Sequence, residues 1–477
     1  MTRRLGLLLA LGVLLQGCGD TTLESWHDAK LEEEFNAARV DEVHTFEDYL
    51  RLEDRLFAEL EEKVYDRVGT GPAYQLFRYS AGSSVDPRSH QPDWNRSFER
   101  VPQEAVGGVL LLHGMSDSPY SLRALAERLA ERGYRTLGLR MPGHGTAPSG
   151  LRHVTDQDMI AATRLGMAHL ASTLGERPIH LVGYSTGGSL ALDFALDAME
   201  GEVAPVPASI VLISPAIRIH ASAALASVKD GLSFLPGLGR LAWLQILPEF
   251  DPYKYNSFAT NAGDVVHSLT RSVDRRLMAR LRGTPEAVLP PTLVFKSTVD
   301  STVTTEAVVE RLLGLLPRGR HELVLFDINR AAAKAMLLSQ DPAPLTRQLM
   351  DDPELPFALT LVANEHPETA RVVARRKPSL AGGRSEIEAL GLAWPPGVIS
   401  LSHVALSIPP DDPLYGRRPP ENEDLLFLGE MAIQGERGVL ALPADWLLRI
   451  RYNPFYDFLE ARLLDWLEEV GGTPPAR

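Results

Sequence analysis

Between positions 45 and 68 the apolar residues Phe46, Leu50, Leu56, Phe57, Leu60 and Val64 recur at helical spacing among charges. That spacing predicts an amphipathic helix lying on a larger body. The preceding stretch, 18–45, is polar and acidic, includes Glu32-Glu33-Glu34, and reads as a tether passing into the helix. Within 46–104 two further runs, 75–79 and 96–101, read as short early strands of antiparallel character. Near Gly107 the rhythm changes. Continuous apolar runs at 109–112, 135–139, 179–182, 210–213, 292–295 and 322–326 predict buried strands. Helical patterns separate several of them: 120–132 with Leu122, Leu125 and Leu129 inward and Gly133 as the stop, then 156–174, then 306–316. Buried strands alternating with helices predict an α/β architecture, a doubly wound and mostly parallel sheet covered on both faces.

Two segments interrupt this alternation within a main domain of 105–470. The first, 216–290, carries apolar helical stretches over 223–247 and then Tyr253-Lys254-Tyr255-Asn256, and lies between two core strands, where it can fold over the sheet end as a lid. The second, 328–395, holds one strand-like run at 357–362 among Pro- and charge-rich loops. The tail, 471–477, is rich in Gly and Pro and reads as disordered.

Charge narrows the range of partners. The 477 residues carry a formal net charge of −14, which argues against nucleic acid and against electrostatic docking on anionic lipid. The first 17 residues stand apart from the fold. Thr2-Arg3-Arg4 is a positive n-region, and the apolar run of eleven residues from Leu5 to Leu15 is too short to span a bilayer. Leu15-Gln16-Gly17-Cys18 follows and holds the sole cysteine, which resembles the lipobox of bacterial lipoproteins. The resemblance implies a signal peptide over 1–17, lipidation of Cys18, and an anchor in the cell envelope. Gly19 after the cysteine favours the outer membrane, facing the periplasm. Two acyl chains already suffice for stable anchoring.

The candidate chemistry centres on Gly183-Tyr184-Ser185-Thr186-Gly187. A G-x-S-x-G sequence between a strand and a helix is a nucleophile elbow. Its tight turn needs glycine on both sides, lifts Ser185 Oγ out of the sheet edge, and aims a helix N-terminus at the atom under attack. A serine hydroxyl needs a base to take its proton, and in this topology the partners follow as serine, acid, histidine. Asp300 lies just past the run 292–297; Asp327 ends the next run and is the alternative acid. Three histidines follow Asp300. His321 precedes a strand and falls at the wrong end of the sheet. His366 could reach the site only if the second insertion folded back. His403 follows an apolar, strand-like run at 397–402 and is the expected base. Two backbone N–H groups are needed for the oxyanion: Thr186, after the nucleophile, and Met115, in the loop His113-Gly114-Met115-Ser116-Asp117. His113 reads as a structural residue of that loop.

The His113-Gly114 loop, Arg140-Met141-Pro142-Gly143-His144-Gly145, the Ser185 elbow, Ser297-Thr298-Val299-Asp300 and Ser402-His403 stand in one order over about 105–405. In that order they resemble α/β-hydrolases of the monoacylglycerol lipase, lysophospholipase and bacterial carboxylesterase group. The second insertion departs from the pattern, since relatives place the histidine directly after the last core strand. The resemblance implies hydrolysis of carboxylic esters, lipid-like ones such as monoacylglycerols or lysophospholipids, through an acyl-serine. That route needs neither metal nor organic cofactor. Aminopeptidase chemistry, with Glu249 or Asp251 holding a substrate amine, and acyl transfer use the same constellation. A non-catalytic envelope scaffold is the reading from another class.

Overall fold

A computed structural model describes residues 23–217, 239–283, 289–300, 303–333, 338, 341–379, 385–421, 426–429 and 450–471. Its centre is a ten-stranded sheet. In chain order the strands are β1 (Phe98–Arg100), β2 (Gly107–Leu112), β3 (Tyr134–Leu139), β4 (Ile179–Tyr184) and β5 (Ser209–Ile213). A separate two-stranded ribbon follows, β6 (Trp243–Gln245) and β7 (Phe258–Ala259). The sheet resumes with β8 (Thr292–Ser297), β9 (His321–Phe326), β10 (Ala358–Asn364), β11 (Arg371–Lys377) and β12 (Glu386–Ala393). Across the sheet the order is β1-β3-β2-β4-β5-β8-β9-β10-β11-β12. From β3 to β10 every pairing is parallel, while β1 at one edge and β11 and β12 at the other pair antiparallel.

Period-two alternation explains why both faces are apolar. Leu110, Leu112, Leu181, Leu212, Val294, Leu323 and Leu325 pack on one face with the helices Asp156–Leu174 and Thr186–Glu200. Val109, Leu111, Val182, Val211, Phe295 and Phe326 pack on the other with Leu125 and Leu129 and with Leu459, Leu463 and Trp466 of the helix Tyr456–Gly471. The strand order reverses at β2: β3 lies on one side and β4 on the other. Open α/β sheets bind ligands beyond the strands' carboxyl ends at such a switch point.

Several sequence expectations need correction. Residues 75–79 form turns, not a strand. The reason is polar: Arg78 is buried and donates to Asn95 Oδ1 (2.9 Å) and Gly145 O (3.1 Å), while Tyr79 Oη donates to Thr146 O (2.9 Å). These bonds fix an irregular path. From residue 23 onward the acidic leader packs on the domain and is no free tether, because Trp26 and Phe35 are buried. The second insertion contributes three sheet strands, not one. β11 and β12 read poorly because Arg371, Arg375, Arg376, Lys377, Glu386 and Glu388 occupy them, as suits a charged edge. Residues 397–402 are not a strand; Asn329 binds the carbonyls of Ile399 (2.7 Å) and Val398 (2.8 Å), and Ser297 Oγ binds that of Leu401 (2.9 Å). The tail 472–477 lies outside the described residues.

The amphipathic helix is Phe46–Lys63, opened by a capping box between Thr45 and Asp48. It fastens the leader to the sheet end through Arg140, whose side chain is 1% exposed. Glu34 grips Arg140 through Nη1 (3.1 Å) and Nη2 (2.9 Å), Glu53 lies 3.6 Å from its Nε, and Tyr49 Oη donates to its carbonyl (2.6 Å). Removing one partner of a buried ion pair leaves the other uncompensated. Arg140→Ala is therefore expected to lower stability by about 3–5 kcal/mol in denaturant titration.

Candidate active site

β4 ends at Tyr184 and a helix starts at Thr186, leaving Ser185 alone at the turn. Its backbone has φ 53° and ψ −115°, a conformation that L residues rarely adopt and that costs about 1–3 kcal/mol. Three hydrogen bonds hold it: Ser185 N–H to Ile213 O, and the N–H groups of Gly188 and Ala216 to Ser185 O, each 3.0 Å. A Cβ on Gly187 would lie 1.9 Å from Leu112 O, and one on Gly183 2.3 Å from Gly187 O. A side chain at Gly187 would push the elbow away from β2, and one at Gly183 would push the helix start away from β4. Ser185 itself remains partly exposed.

The loop after β2 closes on the elbow: a Cβ on Gly114 would stand 3.2 Å from Ser185 Cβ. His113 organises the loop. Its Nε2 accepts from Met141 N–H (3.0 Å), so Nδ1 carries the proton and donates to Gly114 O (2.9 Å). Burial pushes the His113 imidazole well below the usual histidine range, with the neighbouring His144 adding to the effect. Burial likewise takes His144 down to about 4. Both rings are neutral structural groups at pH 7. Met115 follows Gly114 in this loop. Thr186 heads its helix, so its N–H is one of the four that a helix leaves without an internal partner.

Asp300 follows the end of β8, and His403 opens the short turn His403–Ala405. The two meet: His403 Nδ1 donates to Asp300 Oδ2 at 2.8 Å, which leaves Nε2 as the acceptor of the ring. The His403 ring packs against that of Tyr184, the residue before Ser185, with centroids 5.5 Å apart. Burial alone would raise the Asp300 carboxyl, but the His403 hydrogen bond and the Lys296 ammonium hold it well below the usual carboxylate range. The other candidates lie elsewhere. Asp327 is paired with Arg330 through two contacts of 3.0 and 3.1 Å. His321 begins β9 at the amino end, and His366 is exposed in the β10–β11 turn. Cys18 and residues 218–238 of the first insertion fall outside the described residues.

Residues 103–327 match the sequence profile of the Hydrolase_4 family, described as serine aminopeptidase, S33. With the switch-point topology and the strained serine between β4 and its helix, this decides the architecture. The fold is an α/β-hydrolase fold. A thermostable monoacylglycerol lipase of Bacillus sp. (strain H-257) is 37% identical over 117 residues, 24% of this chain and 44% of that protein. The magnesium-chelatase 30 kDa subunit of Rhodobacter capsulatus is 34% identical over 99 residues, 21% of this chain and 31% of that protein. The chain thus spans less than half the length of either relative. Among solved structures, one of the metagenome-derived lipolytic enzymes LipS and LipT aligns with TM-score 0.38 and 24% identity over 49% of this chain and 87% of that one. The monoacylglycerol lipase of Paleococcus ferrophilus aligns with TM-score 0.36 and 20% identity over 48% and 88%.

Sequence reasoning missed what the first insertion does to this site. Tyr255 N–H donates to Ser116 O (2.8 Å) and Lys254 Nζ pairs with Asp117 Oδ1 (2.6 Å), so the insertion braces the Met115 loop directly. Beside them is a cavity of about 190 Å³ walled by Tyr120, Tyr184, Tyr253, Val404, Ile408 and Tyr415. Tyr120 and Tyr253 stack at 4.2 Å. Glu249 and Asp251 are fully buried. The Glu249 carboxylate accepts N–H groups of Asn256 (2.9 Å) and Ser257 (2.8 Å), and burial pushes it up to about 7. Asp251 accepts from Tyr415 Oη and from the N–H groups of Tyr253 and Lys254. The dense run Glu249-Phe-Asp-Pro-Tyr-Lys-Tyr-Asn256 was the available signal for such a braced loop.

Proposed function

We propose that this chain is a serine hydrolase of carboxylic esters, lipid-like ones of monoacylglycerol or lysophospholipid type, working through an acyl-serine. The observation that carries the reading is the 2.8 Å Asp300–His403 pair, set against the ring of the residue that precedes the elbow serine. In the first half-reaction His403 Nε2 takes the Ser185 Oγ proton as Oγ bonds to the ester carbonyl carbon. The oxyanion is met by the N–H groups of Met115 and Thr186. Collapse breaks the bond to the alkoxy oxygen, which leaves as the alcohol with the proton from Nε2. Water then repeats the sequence on the acyl-serine and releases the acid. Asp300 orients the ring and stabilises its cation.

The cavity beside Tyr184 and Val404 is smaller than a pocket for a drug-sized ligand and suits one small moiety of an ester. The name of the Bacillus relative, a monoacylglycerol lipase, supports the substrate class. An aminopeptidase needs an acid free to hold the substrate amine. Glu249 and Asp251 are engaged in backbone and tyrosine hydrogen bonds, and Asp117 is paired with Lys254, which favours the ester reading. Fluorophosphonate labelling combined with a chain-length series of p-nitrophenyl esters and aminoacyl p-nitroanilides tests it. Labelling with ester turnover is expected; anilide turnover exceeding ester turnover overturns it.

Anchoring through a lipidated Cys18, in the bacterial envelope, completes the proposal. Among the described residues no helix is long and apolar enough to cross a membrane. The full chain is expected to enter the detergent phase of a Triton X-114 split, and Cys18→Ser to remain unprocessed or move to the aqueous phase with esterase activity intact. Wild type in the aqueous phase refutes the anchor.

A further inference from the structure

The acid of the site has a second neighbour besides His403, a cation with no part in the proposed reaction. Lys296 is the penultimate residue of β8, and its side chain is 0% exposed. Its register partner on β9 is Leu325, and Val294 precedes it on the same face. Carrying an ammonium out of water into such a layer is costly, and a leucine or methionine would pack there without that cost. Its Nζ lies 2.7 Å from Asp300 Oδ2, the oxygen that also receives His403 Nδ1 at 2.8 Å. The other oxygen, Oδ1, accepts Val303 N–H at 3.2 Å.

We propose that Lys296 is a positioning residue: it locks the Asp300 carboxylate that orients His403, and its charge limits how readily that imidazole takes up a proton. The proposal rests on the Ser185–His403–Asp300 reading above. A lone carboxylate beside an imidazole favours the imidazolium. Lys296 shares the same oxygen and offsets that pull. The same ammonium keeps Asp300 ionised, as an orienting acceptor must be. Among the described residues, three further charged groups lie near the pair. Glu306, in the helix Thr305–Arg311, acts on Lys296 from longer range. From β4, Tyr184 contributes a ring to the His403 side, with Asp117 near that ring and paired with Lys254. Asp327, at the end of β9, is paired with Arg330.

The test is the pH dependence of kcat/KM for p-nitrophenyl butyrate in wild type, Lys296→Met and Lys296→Gln, each normalised to active sites titrated with a fluorophosphonate. Normalisation removes any misfolded fraction, and Lys296→Gln keeps a hydrogen-bond donor should Lys296→Met not fold. Taking away a cation near His403 favours the imidazolium. The acid limb is therefore expected to move to higher pH by roughly one to two units in both variants, with activity lost below the limb. An unmoved limb, with only thermal stability reduced, makes Lys296 a structural ion-pair partner and overturns the proposal. His403→Ala and Asp300→Asn run in parallel separate the two failures. If either retains wild-type turnover, the triad reading has failed. If both are inactive and the Lys296 limb is unmoved, the positioning role alone has failed.

Discussion

Ser185→Ala is expected to abolish fluorophosphonate labelling and to lower ester turnover by about four to six orders of magnitude with the fold intact. The size of the effect follows from chemistry: without Oγ no acyl-enzyme forms, and what remains is the oxyanion donors and substrate binding. The fold is expected to survive because Ser185 is partly exposed and the turn is held by backbone bonds to Ile213, Gly188 and Ala216. Alanine also accepts the strained φ about as well as serine does, so thermal unfolding should barely change. Labelling of the variant at the wild-type rate would put the nucleophile elsewhere.

His403→Ala is expected to match Ser185→Ala, since base and nucleophile act as one unit and their losses do not add. The double variant should be no slower than either single one. Asp300→Asn is expected to cost about four orders of magnitude, because an amide at Oδ2 can leave the imidazole in the wrong tautomer. It also leaves the Lys296 ammonium without its carboxylate in a fully buried setting, so its stability should fall as well. Asp327→Asn loosens only the pair with Arg330, and His366→Ala alters an exposed turn. Both should remain within about threefold of wild type in turnover, since neither residue contacts Ser185, His403 or Asp300 in a hydrogen bond or ion pair among the described residues.

The parallel sheet was legible in the sequence because its strands are buried on both faces and so read as unbroken apolar runs. β4 and β8 are such runs, and they carry Ser185 and Asp300 at their carboxyl ends. Residues held by polar bonds were not legible. Arg78 looks like an ordinary strand residue, yet its buried guanidinium fixes a turn through Asn95 and Gly145. β12 is largely exposed, and its apolar residues Ile387, Leu390 and Leu392 are interrupted by Glu386, Glu388 and Gly391, so it makes no unbroken buried run. Residues 397–402 carry strand-like composition, but their carbonyls serve Asn329 and Ser297 as a loop laid across the sheet end. That loop leads into His403 and its 2.8 Å contact with Asp300, a route that has no local pattern in the sequence. Lys296 left a sequence signal, one charge directly after the apolar run Thr292-Leu293-Val294-Phe295, whose meaning appears only with Asp300 four residues later at 2.7 Å. The Tyr255 and Lys254 contacts that brace the Met115 loop span more than a hundred residues and have no local pattern.

The central claim is that an acyl group passes through Ser185. Mixing the wild-type protein with excess p-nitrophenyl butyrate, quenching in acid within the first turnovers and mapping the adduct by tandem mass spectrometry tests it most directly. The account predicts a butyryl group on the peptide containing Gly183-Tyr184-Ser185-Thr186-Gly187, localised to Ser185, and none there in Ser185→Ala. A stable adduct on another side chain, or ester turnover with the Ser185 peptide unmodified at every quench time, would contradict it.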